Sequence, residues 1–172
     1  MKQFFLRILS MIIGLFFYAL GIVLTIRANI GYPPWDVFHV GLANKIGFSL
    51  GIIISAVGVI IVIIVTLLKE KFGLGTICNI IMIGLFIDII FLIDIIPELE
   101  NLIIGSLMLI SGLFIIAIGS YFYIKSGFGV GPRDNLMVVL ARRTKLPVGL
   151  CRGLIELLAT LIGWLLGGMI GL

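Results

Sequence analysis

Residues 31–42 read GYPPWDVFHVGL and bring together two prolines, a tryptophan, an aspartate and the chain's only histidine. A related stretch, GVGPRDNLMVVL, occupies residues 129–140. The surrounding chain is apolar: of 172 residues, 62% are hydrophobic and 12% are charged, and the mean hydropathy is +1.35. Soluble domains have about 45–50% apolar and about 25% charged residues. The composition therefore predicts an integral membrane protein.

The apolar stretches around these two motifs are long enough to cross a bilayer. A hydrocarbon core of about 30 Å needs about 20 helical residues. Backbone polar groups in lipid must be satisfied within the segment, and the period-2 alternation of a barrel strand is absent. The sequence predicts an all-α membrane protein with five transmembrane helices, at about residues 8–26, 48–68, 74–96, 101–124 and 148–172.

The basic residues predict the orientation of these helices. Cytoplasmic loops of membrane proteins carry an excess of Lys and Arg. With the N-terminus in the cytoplasm, only Arg27 and Lys45 lie on the outer side. The basic residues on the inner side are then Lys2, Arg7, Lys69, Lys71, Lys125, Arg133, Arg142, Arg143, Lys145 and Arg152. This orientation places the PPWD motif outside and the GPRD motif inside.

The chain also contains an internal repeat. Shifted by 98 residues, the sequence aligns with itself without a gap from residue 10 to residue 74. Matched glycines, prolines and aspartates are hard to obtain by chance in apolar segments. Among the matched pairs are Gly14 with Gly112, Gly21 with Gly119, Gly31 with Gly129, Pro34 with Pro132, Asp36 with Asp134, Gly73 with Gly171 and Leu74 with Leu172. Each full unit is predicted to hold a span, a motif, a second span and a third span.

Three crossings per unit is an odd number, so successive units enter the membrane from opposite sides. The sequence therefore predicts an inverted-topology repeat, with a first unit at 1–98 and a second at 99–172. The second unit has one span fewer, because the chain reaches Gly171-Leu172 where GLGT, residues 73–76, opens the third span of the first unit. We expect a sixth span in the parent gene; the alternative is a five-helix protein that lost this element.

Each motif is predicted to contain a short helix. Proline suits the first turn of a helix, so Pro33 and Pro34 should open one over about 33–43 and Pro132 one over about 131–142. Asp36 and Asp134 then lie near the third helical position, where a carboxylate meets the positive end of the helix dipole. Helices of this length cover about 15 Å, or half a bilayer.

Two interpretations of these short helices remain open. In the first they lie flat at the interface and their apolar residues enter the lipid boundary. The apolar residues concerned are Val37, Phe38, Leu42, Leu136, Val139 and Leu140, with Arg142, Arg143 and Lys145 on anionic headgroups. In the second the helices are re-entrant, and their N-terminal turns converge near the midplane and line a watery cavity.

The re-entrant interpretation assigns chemistry to the motif residues. Backbone N–H groups at Gly31 and Gly129 would receive an anion or a dipole. Asp36 and Asp134 would hold a cation, a proton or a substrate amine. The second motif has Arg133 where the first has Trp35, so the two half-sites differ chemically.

Asp88 is a further polar residue within an apolar span, in GTICNIIMIGLFID. An ionised Asp at mid-membrane costs about 3 kcal/mol on insertion scales. It is either a coupling or proton-carrying group or a partner in an interhelical hydrogen bond. Gly84, one turn earlier, would let a neighbouring backbone approach closely. Asn79 and Thr76 add hydrogen-bonding groups near the cytoplasmic end.

Enzymatic motifs are missing. GFGVGP, residues 127–132, has no strand before it and no Lys-Ser/Thr after it, so it is not a P-loop. His39 is the sole histidine. HExxH, which needs two histidines, is therefore absent, and no Ser-His-Asp set is available. We expect no enzymatic activity, no cofactor and no metal.

The motifs resemble a known family. ANIGYPPWDVFHVGL at 28–42, GFSLG at 47–51 and GLGTICNIIMIGLFID at 73–88 are similar to the YczE/YyaS/YitT family of bacterial integral membrane proteins, and the resemblance covers essentially the whole chain. It implies a multi-pass protein of the bacterial plasma membrane with about six spans. The family has no settled biochemical activity, so the resemblance implies no reaction.

Two functional hypotheses follow. The first is a small-solute transporter or channel with its site at the repeat interface, and the second is a non-transporting scaffold that supports a partner protein or enzyme assembly. The predicted substrate-binding residues are Asp36, Asp134, Trp35, Arg133, Gly31, Gly129, Pro34, Pro132, Asn79 and Asp88. The expected partners are the lipid bilayer and a small molecule or ion, with no nucleic acid. A homo-oligomer or a protein partner stays open.

Overall fold

The computed structural model describes residues 2–171, and within that range it contains seven α-helices and no β-strand. The helices are α1 (Lys2–Arg27), α2 (Pro34–Ile46), α3 (Leu50–Leu67), α4 (Leu74–Ile93), α5 (Leu102–Lys125), α6 (Pro132–Thr144) and α7 (Val148–Leu165). Five of them, α1, α3, α4, α5 and α7, are long and apolar enough to cross a membrane. The prediction of an all-helical chain with five long apolar helices is confirmed.

Several predicted boundaries differ from the observed ones. The first long helix begins at Lys2, because the charged start of the chain continues the helix beyond its apolar part. The last was expected to reach residue 172 but ends at Leu165, where Gly167 adopts a φ of +95°. Leu172, aligned with Leu74, lies outside the described residues. Helix α4 ends at Ile93 because Asp94 takes a left-handed conformation.

The two short helices begin where the prolines predict. Pro34 and Pro132 occupy the first position of α2 and α6, where a missing N–H costs no hydrogen bond. Asp36 and Asp134 consequently stand at the third helical position. Both helices run slightly further than predicted. Helix α2 ends at Ile46, and the next residue, Gly47, provides the left-handed cap with a φ of +83°.

Helices α1 and α5 pack antiparallel through two pairs of glycines. A Cβ atom on Gly14 would lie 2.8 Å from the Gly119 carbonyl oxygen, and one on Gly21 would lie 2.7 Å from that of Gly112. Such small residues allow close backbone approach between membrane helices. Helix α1 also packs against α4, with Leu15, Ile22 and Ile87 buried in a shared core. This arrangement holds the long helices around the two short ones.

The short helices are enclosed by protein. Helix α2 packs against α3 and α7, and α6 packs against α3, α4 and α7. Val37 and Val139 are each 1% exposed, and Leu136 is 9% exposed. The lipid contacts expected for these three residues in the interfacial interpretation are therefore wrong, because other helices cover the faces that carry them.

Candidate functional site: a polar cavity beside the two short helices

A cavity of about 330 Å³ lies inside the helix bundle, and all seven helices contribute residues to its wall. Five of the ten predicted site residues line it: Trp35, Asn79, Pro132, Arg133 and Asp134. Asp36 lies behind this wall, and Pro34 begins α2. Gly31, Gly129 and Asp88 are located elsewhere. The structure thus brings part of the predicted site together around the first turn of α6.

Arg133 and Trp35 form the contact between the two motifs. The Arg133 guanidinium carbon lies 5.1 Å from the centre of the Trp35 ring, within the range of a cation–π interaction. Nη2 of Arg133 lies 3.4 Å from Nδ1 of His39. The His39 ring in turn stacks on Trp35, with ring centres 6.0 Å apart and planes 21° apart. Three side chains from α2 and α6 therefore form one cluster.

Asp36 and His39 are buried behind this cluster, one helical turn apart. Asp36 is 4% exposed and His39 is fully buried. Oδ1 of Asp36 lies 3.7 Å from Nδ1 of His39, which is too long for a good hydrogen bond. Oδ1 of Asp36 and Nε2 of His39 have no hydrogen-bond partner among residues 2–171. A buried polar group in this condition is expected to contact water or a ligand.

Asp134, although aligned with Asp36, has a different environment. Its side chain is exposed and faces the cavity. The helices that carry the two aspartates also differ in the residues through which they pack. A Cβ atom on Gly41 in α2 would lie 2.5 Å from the Gly163 carbonyl of α7. The aligned positions in α6 and α3 are Val139 and Val65, two bulkier buried residues of one core cluster.

Further polar groups line the cavity. The Tyr123 hydroxyl and Nε1 of Trp35 are buried and lack a hydrogen-bond partner within the described chain. Nε of Arg152 donates to Oε1 of Glu156, four residues later in α7, at 2.8 Å. The remaining wall is apolar and includes Ile54, Ile80, Ile83 and Met137. Two buried donors without acceptors, on Trp35 and Tyr123, therefore line the cavity.

At Gly31 and Gly129 the backbone passes close to another backbone segment, and neither glycine lines the cavity. Their φ angles are +146° and +127°, a region that favours glycine. A Cβ atom on Gly31 would collide with the backbone of Gly171, and one on Gly129 would lie 3.1 Å from Cα of Gly73. The anion-receiving role expected at these two glycines therefore has no counterpart in the cavity, because other backbone segments occupy the space beside them.

Asp88, a residue of α4, lies next to the N-terminus of α3 and away from the cavity. Its carboxylate accepts hydrogen bonds from Ser49 Oγ at 2.6 Å and from the backbone N–H of Gly51 at 2.8 Å. A carboxylate at a helix N-terminus satisfies free N–H groups and complements the dipole. Gly84, one turn away, lies against the Gly51 carbonyl, as its predicted packing role requires. The interhelical hydrogen-bonding alternative for Asp88 is the one observed.

Residues 5–172 match the model of a protein family described as a family of unknown function, DUF6198. The chain belongs to this family. Uncharacterized membrane protein YczE of Bacillus subtilis (strain 168) is 35% identical over 161 residues, which cover 92% of this chain and 74% of YczE. An uncharacterized protein of Haemophilus influenzae (strain ATCC 51907 / DSM 11121 / KW20 / Rd) is 31% identical over 165 residues, 93% of this chain and 75% of the relative.

Uncharacterized protein YyaS of B. subtilis (strain 168) is 30% identical over 163 residues, 93% of this chain and 81% of YyaS. These relatives confirm the resemblance to the YczE/YyaS family and support an integral membrane protein. No solved structure gives a significant match to this DUF6198 chain.

Sequence reasoning about this DUF6198 chain missed two polar groups near the site. The sequence shows His39 as a lone histidine that argues against a metal site and a catalytic set, but its position three residues after Asp36 also places both on one helix face. Tyr123 carried no local signal, because it lies in the apolar span α5 and reaches the cavity only through the packing of α5 on α1. Tertiary structure alone joins these groups to Trp35 and Arg133.

Proposed function

We propose that the protein is an integral plasma-membrane transporter or channel for a small solute, without enzymatic activity, and that the cavity is its solute site. The observation that carries the proposal is the pair of buried donors without acceptors, Trp35 Nε1 and the Tyr123 hydroxyl, in a cavity inside the bundle. A polar cavity among membrane helices is stable when water or solute fills it. A transporter or channel needs such a wetted interior, whereas a purely structural bundle does not.

We propose that the two halves of the chain are inverted-topology repeats. Exchanging each residue for its aligned counterpart turns the contact of Gly14 with Gly119 into that of Gly112 with Gly21, and both contacts occur. The same relation connects two backbone crossings. Those crossings are Gly31 with Gly171 and Gly129 with Gly73. Paired contacts of this kind support a two-fold relation between the halves.

The site is proposed to lie on the pseudo-two-fold axis. Trp35 and Arg133 are aligned with each other and are in contact, a relation that favours positions close to the axis. In many transporters the substrate site lies at the interface between repeats, beside the N-termini of broken helices. The first turns of α2 and α6, which carry these two residues, correspond to that description.

The orientation and the depth of α2 and α6 belong to the same proposal. The excess of Lys and Arg on one side favours a cytoplasmic N-terminus, with the first motif entering from outside and the second from inside. Re-entrant helices are supported by the burial of Val37 and Val139 against other helices. Irregular backbone at membrane depth is tolerated where protein or a watery cavity surrounds it.

A scaffold is the alternative function, with the basic end of α6 as its docking surface. Two of the three basic residues already have partners within the protein. Arg143 donates to the Leu68 carbonyl, and Arg142 lies 3.6 Å from Glu70. Only Lys145 of the three has no such contact in the described part of the chain. This weakens the case for docking at that end.

Side-specific cysteine labelling tests the proposal. Cys78 and Cys151 are first replaced, and single cysteines are introduced along 33–42 and 131–140. Membrane-impermeant thiol reagents are applied from each side of the membrane in turn, with Gly47→Cys and Lys145→Cys as markers of the two sides. Gly47→Cys marks the side of the first motif, and Lys145→Cys marks the side of the second. If the two motifs share an aqueous route, cavity-facing cysteines in one motif should also react with reagent added on the other motif's side. If each motif reacts only from its own side, the transporter proposal is wrong.

A further inference from the structure

Arg133 is a cationic residue in the cavity wall without a direct carboxylate partner in the described part of the chain. None of the ion pairs among residues 2–171 includes it. Its contacts are the Trp35 ring and Nδ1 of His39, neither of which bears a negative charge when the imidazole is neutral. A guanidinium has five N–H donors in a fixed fork and pairs well with a carboxylate. The Arg133 side of the cavity therefore suits an anionic group.

Asp134, the next residue, is an acidic residue that likewise has no ion-pair partner in the described part of the chain. Its carboxylate belongs to none of the ion pairs in the described range, and it faces the cavity. Oδ2 of Asp134 and Nδ2 of Asn79 both lie next to Gly131, at 3.4 Å and 3.6 Å from where a Cβ atom on that glycine would stand. The lack of a side chain at Gly131 thus keeps the space beside the carboxylate open. This space suits a cationic group.

Neutral donors also line the cavity. Nε1 of Trp35 can only donate a hydrogen bond, and the Tyr123 hydroxyl can donate one; both are buried and without a partner in the described chain. Tyr123 is only 3% exposed. No side chain within residues 2–171 caps the N-terminus of α6, so its first N–H groups add to the positive potential.

The other charged residues on the wall do not change this balance. Arg152 and Glu156 pair with each other at 2.8 Å. An anion without a positive group would be attracted by Arg133 but repelled by Asp134 next to it. A cation without a negative group would be attracted by Asp134 but repelled by Arg133. A molecule with both charges on neighbouring atoms satisfies both residues at once.

We propose that the cavity binds a small zwitterion with an apolar body, of the α-amino acid type. This rests on the proposed function, since it names the substrate class of the same cavity. The carboxylate of the solute pairs with Arg133 and the donors near it, and its ammonium group pairs with Asp134. The apolar body lies against Ile54, Ile80 and Met137. A volume of about 330 Å³ is at the small end of the range of about 300–1,000 Å³ typical of ligand sites.

The test compares three molecules of one shape on purified protein in lipid nanodiscs. L-leucine has both charges, 4-methylpentanoate lacks the ammonium group, and 3-methylbutylamine lacks the carboxylate. Trp35 reports binding by its fluorescence, and Trp164→Phe removes the second tryptophan, which is exposed. We expect leucine to bind about tenfold or more tightly than either analogue, because each analogue leaves one charged residue unpaired.

Three variants assign each charge to its residue. Asp134→Asn should weaken leucine binding about tenfold and leave binding of 4-methylpentanoate unchanged or tighter. Arg133→Gln should weaken leucine binding while the amine is unchanged or tighter, and Arg133→Lys should retain part of the leucine affinity. Circular dichroism and gel filtration confirm that each variant folds.

Each adverse result has a defined meaning. If 4-methylpentanoate or 3-methylbutylamine binds as tightly as leucine, or if none of the three binds, the zwitterion proposal is overturned. A zwitterion failure combined with cysteine labelling through a shared route leaves the transporter proposal standing. Failure of both experiments removes both proposals.

Discussion

The guanidinium of Arg133 packs on the indole ring of Trp35, 5.1 Å from its centre, and so joins the two positions that follow the helix-opening prolines of α2 and α6. The internal alignment pairs these two residues with each other. A cation therefore stands on one side of the contact and an aromatic ring on the other. The two halves of the site share a backbone plan but differ in charge.

This contact should be measurable as a coupling free energy. We expect a double-mutant cycle of Trp35→Leu and Arg133→Met to give a favourable coupling of about 0.5–2 kcal/mol, the range for cation–π pairs from exposed to desolvated. Thermal or denaturant unfolding in detergent provides the measurement. A coupling within error of zero would mean that the stacking does not contribute to stability. Trp164→Leu, at the exposed tryptophan, serves as the control for loss of an indole ring.

The two aligned aspartates should differ in accessibility. Asp134→Cys, at an exposed position in the cavity, should react with a small water-soluble thiol reagent, whereas Asp36→Cys, at a position 4% exposed, should react much more slowly. The rates are compared after replacement of Cys78 and Cys151 and normalised to the rate in denaturant. Equal native-state rates at the two positions would contradict the different packing of α2 and α6.

The contact between α1 and α5 should not tolerate a methyl group. In Gly14→Ala the new Cβ would lie 2.5 Å from the Tyr123 nitrogen, so the two helices must move apart. We expect a destabilisation of about 1–3 kcal/mol, the typical cost of overpacking. Gly149→Ala and Gly153→Ala in α7 are the matched controls, because a Cβ atom there meets nothing within 4 Å. If the melting temperature falls as much in the controls, helix propensity and not the contact is responsible.

The backbone crossing at Gly31 should be more sensitive than an ordinary glycine turn. Gly31 and Gly47 both have positive φ angles, but only at Gly31 would a Cβ atom collide with another segment, the backbone of Gly171. Gly47→Ala should cost about 1–2 kcal/mol from conformation alone. Gly31→Ala should cost clearly more, as measured by unfolding in detergent. Equal costs would show that the crossing is loose enough to accommodate a methyl group.

Asp88 should matter for stability and little for the cavity. Asp88→Ala removes two hydrogen bonds to the first turn of α3, and we expect a loss of about 1–3 kcal/mol, since bonds to charged groups are the stronger ones. Asp94→Asn is the control, because asparagine tolerates the left-handed backbone at this position and the Asp94 side chain is 68% exposed, so its ion pair with Arg27 should contribute at most about 1 kcal/mol. Leucine binding should be unchanged in both variants. A loss of binding in Asp88→Ala alone would restore a functional role to this residue.

Local sequence predicted the elements of this fold with good accuracy. The short helices begin at Pro34 and Pro132 because proline favours a first turn and disfavours a helix interior. The errors lie at helix ends, at Leu165 and Ile93, where one residue with a left-handed backbone ends a helix inside an apolar run. Hydropathy does not register such a residue, because it measures transfer to lipid and not backbone conformation.

The candidate site was only partly predictable. The sequence singled out Trp35, Arg133 and Asp134, which share the cavity wall, but it also grouped Asp88 with them. Residues on separate helices share a site only if the helices pack in the right rotation and depth. A membrane helix that is apolar on all sides gives little indication of that rotation. For the same reason, Tyr123 could not be placed at the site before α5 was packed against α1.

By itself, the sequence determined that this is an all-helical chain with five long apolar helices and two short helices opened by proline, because helix length, hydropathy and proline geometry are local properties. Only the tertiary structure decided that Asp36 is buried while Asp134 opens into a cavity. The physical reason lies in how each short helix packs against a distant part of the chain: glycines at 41 and 163 bring α2 close to α7, whereas bulkier valines occupy the aligned positions 139 and 65 of α6 and α3. A local motif cannot contain that information, since it depends on which surfaces meet.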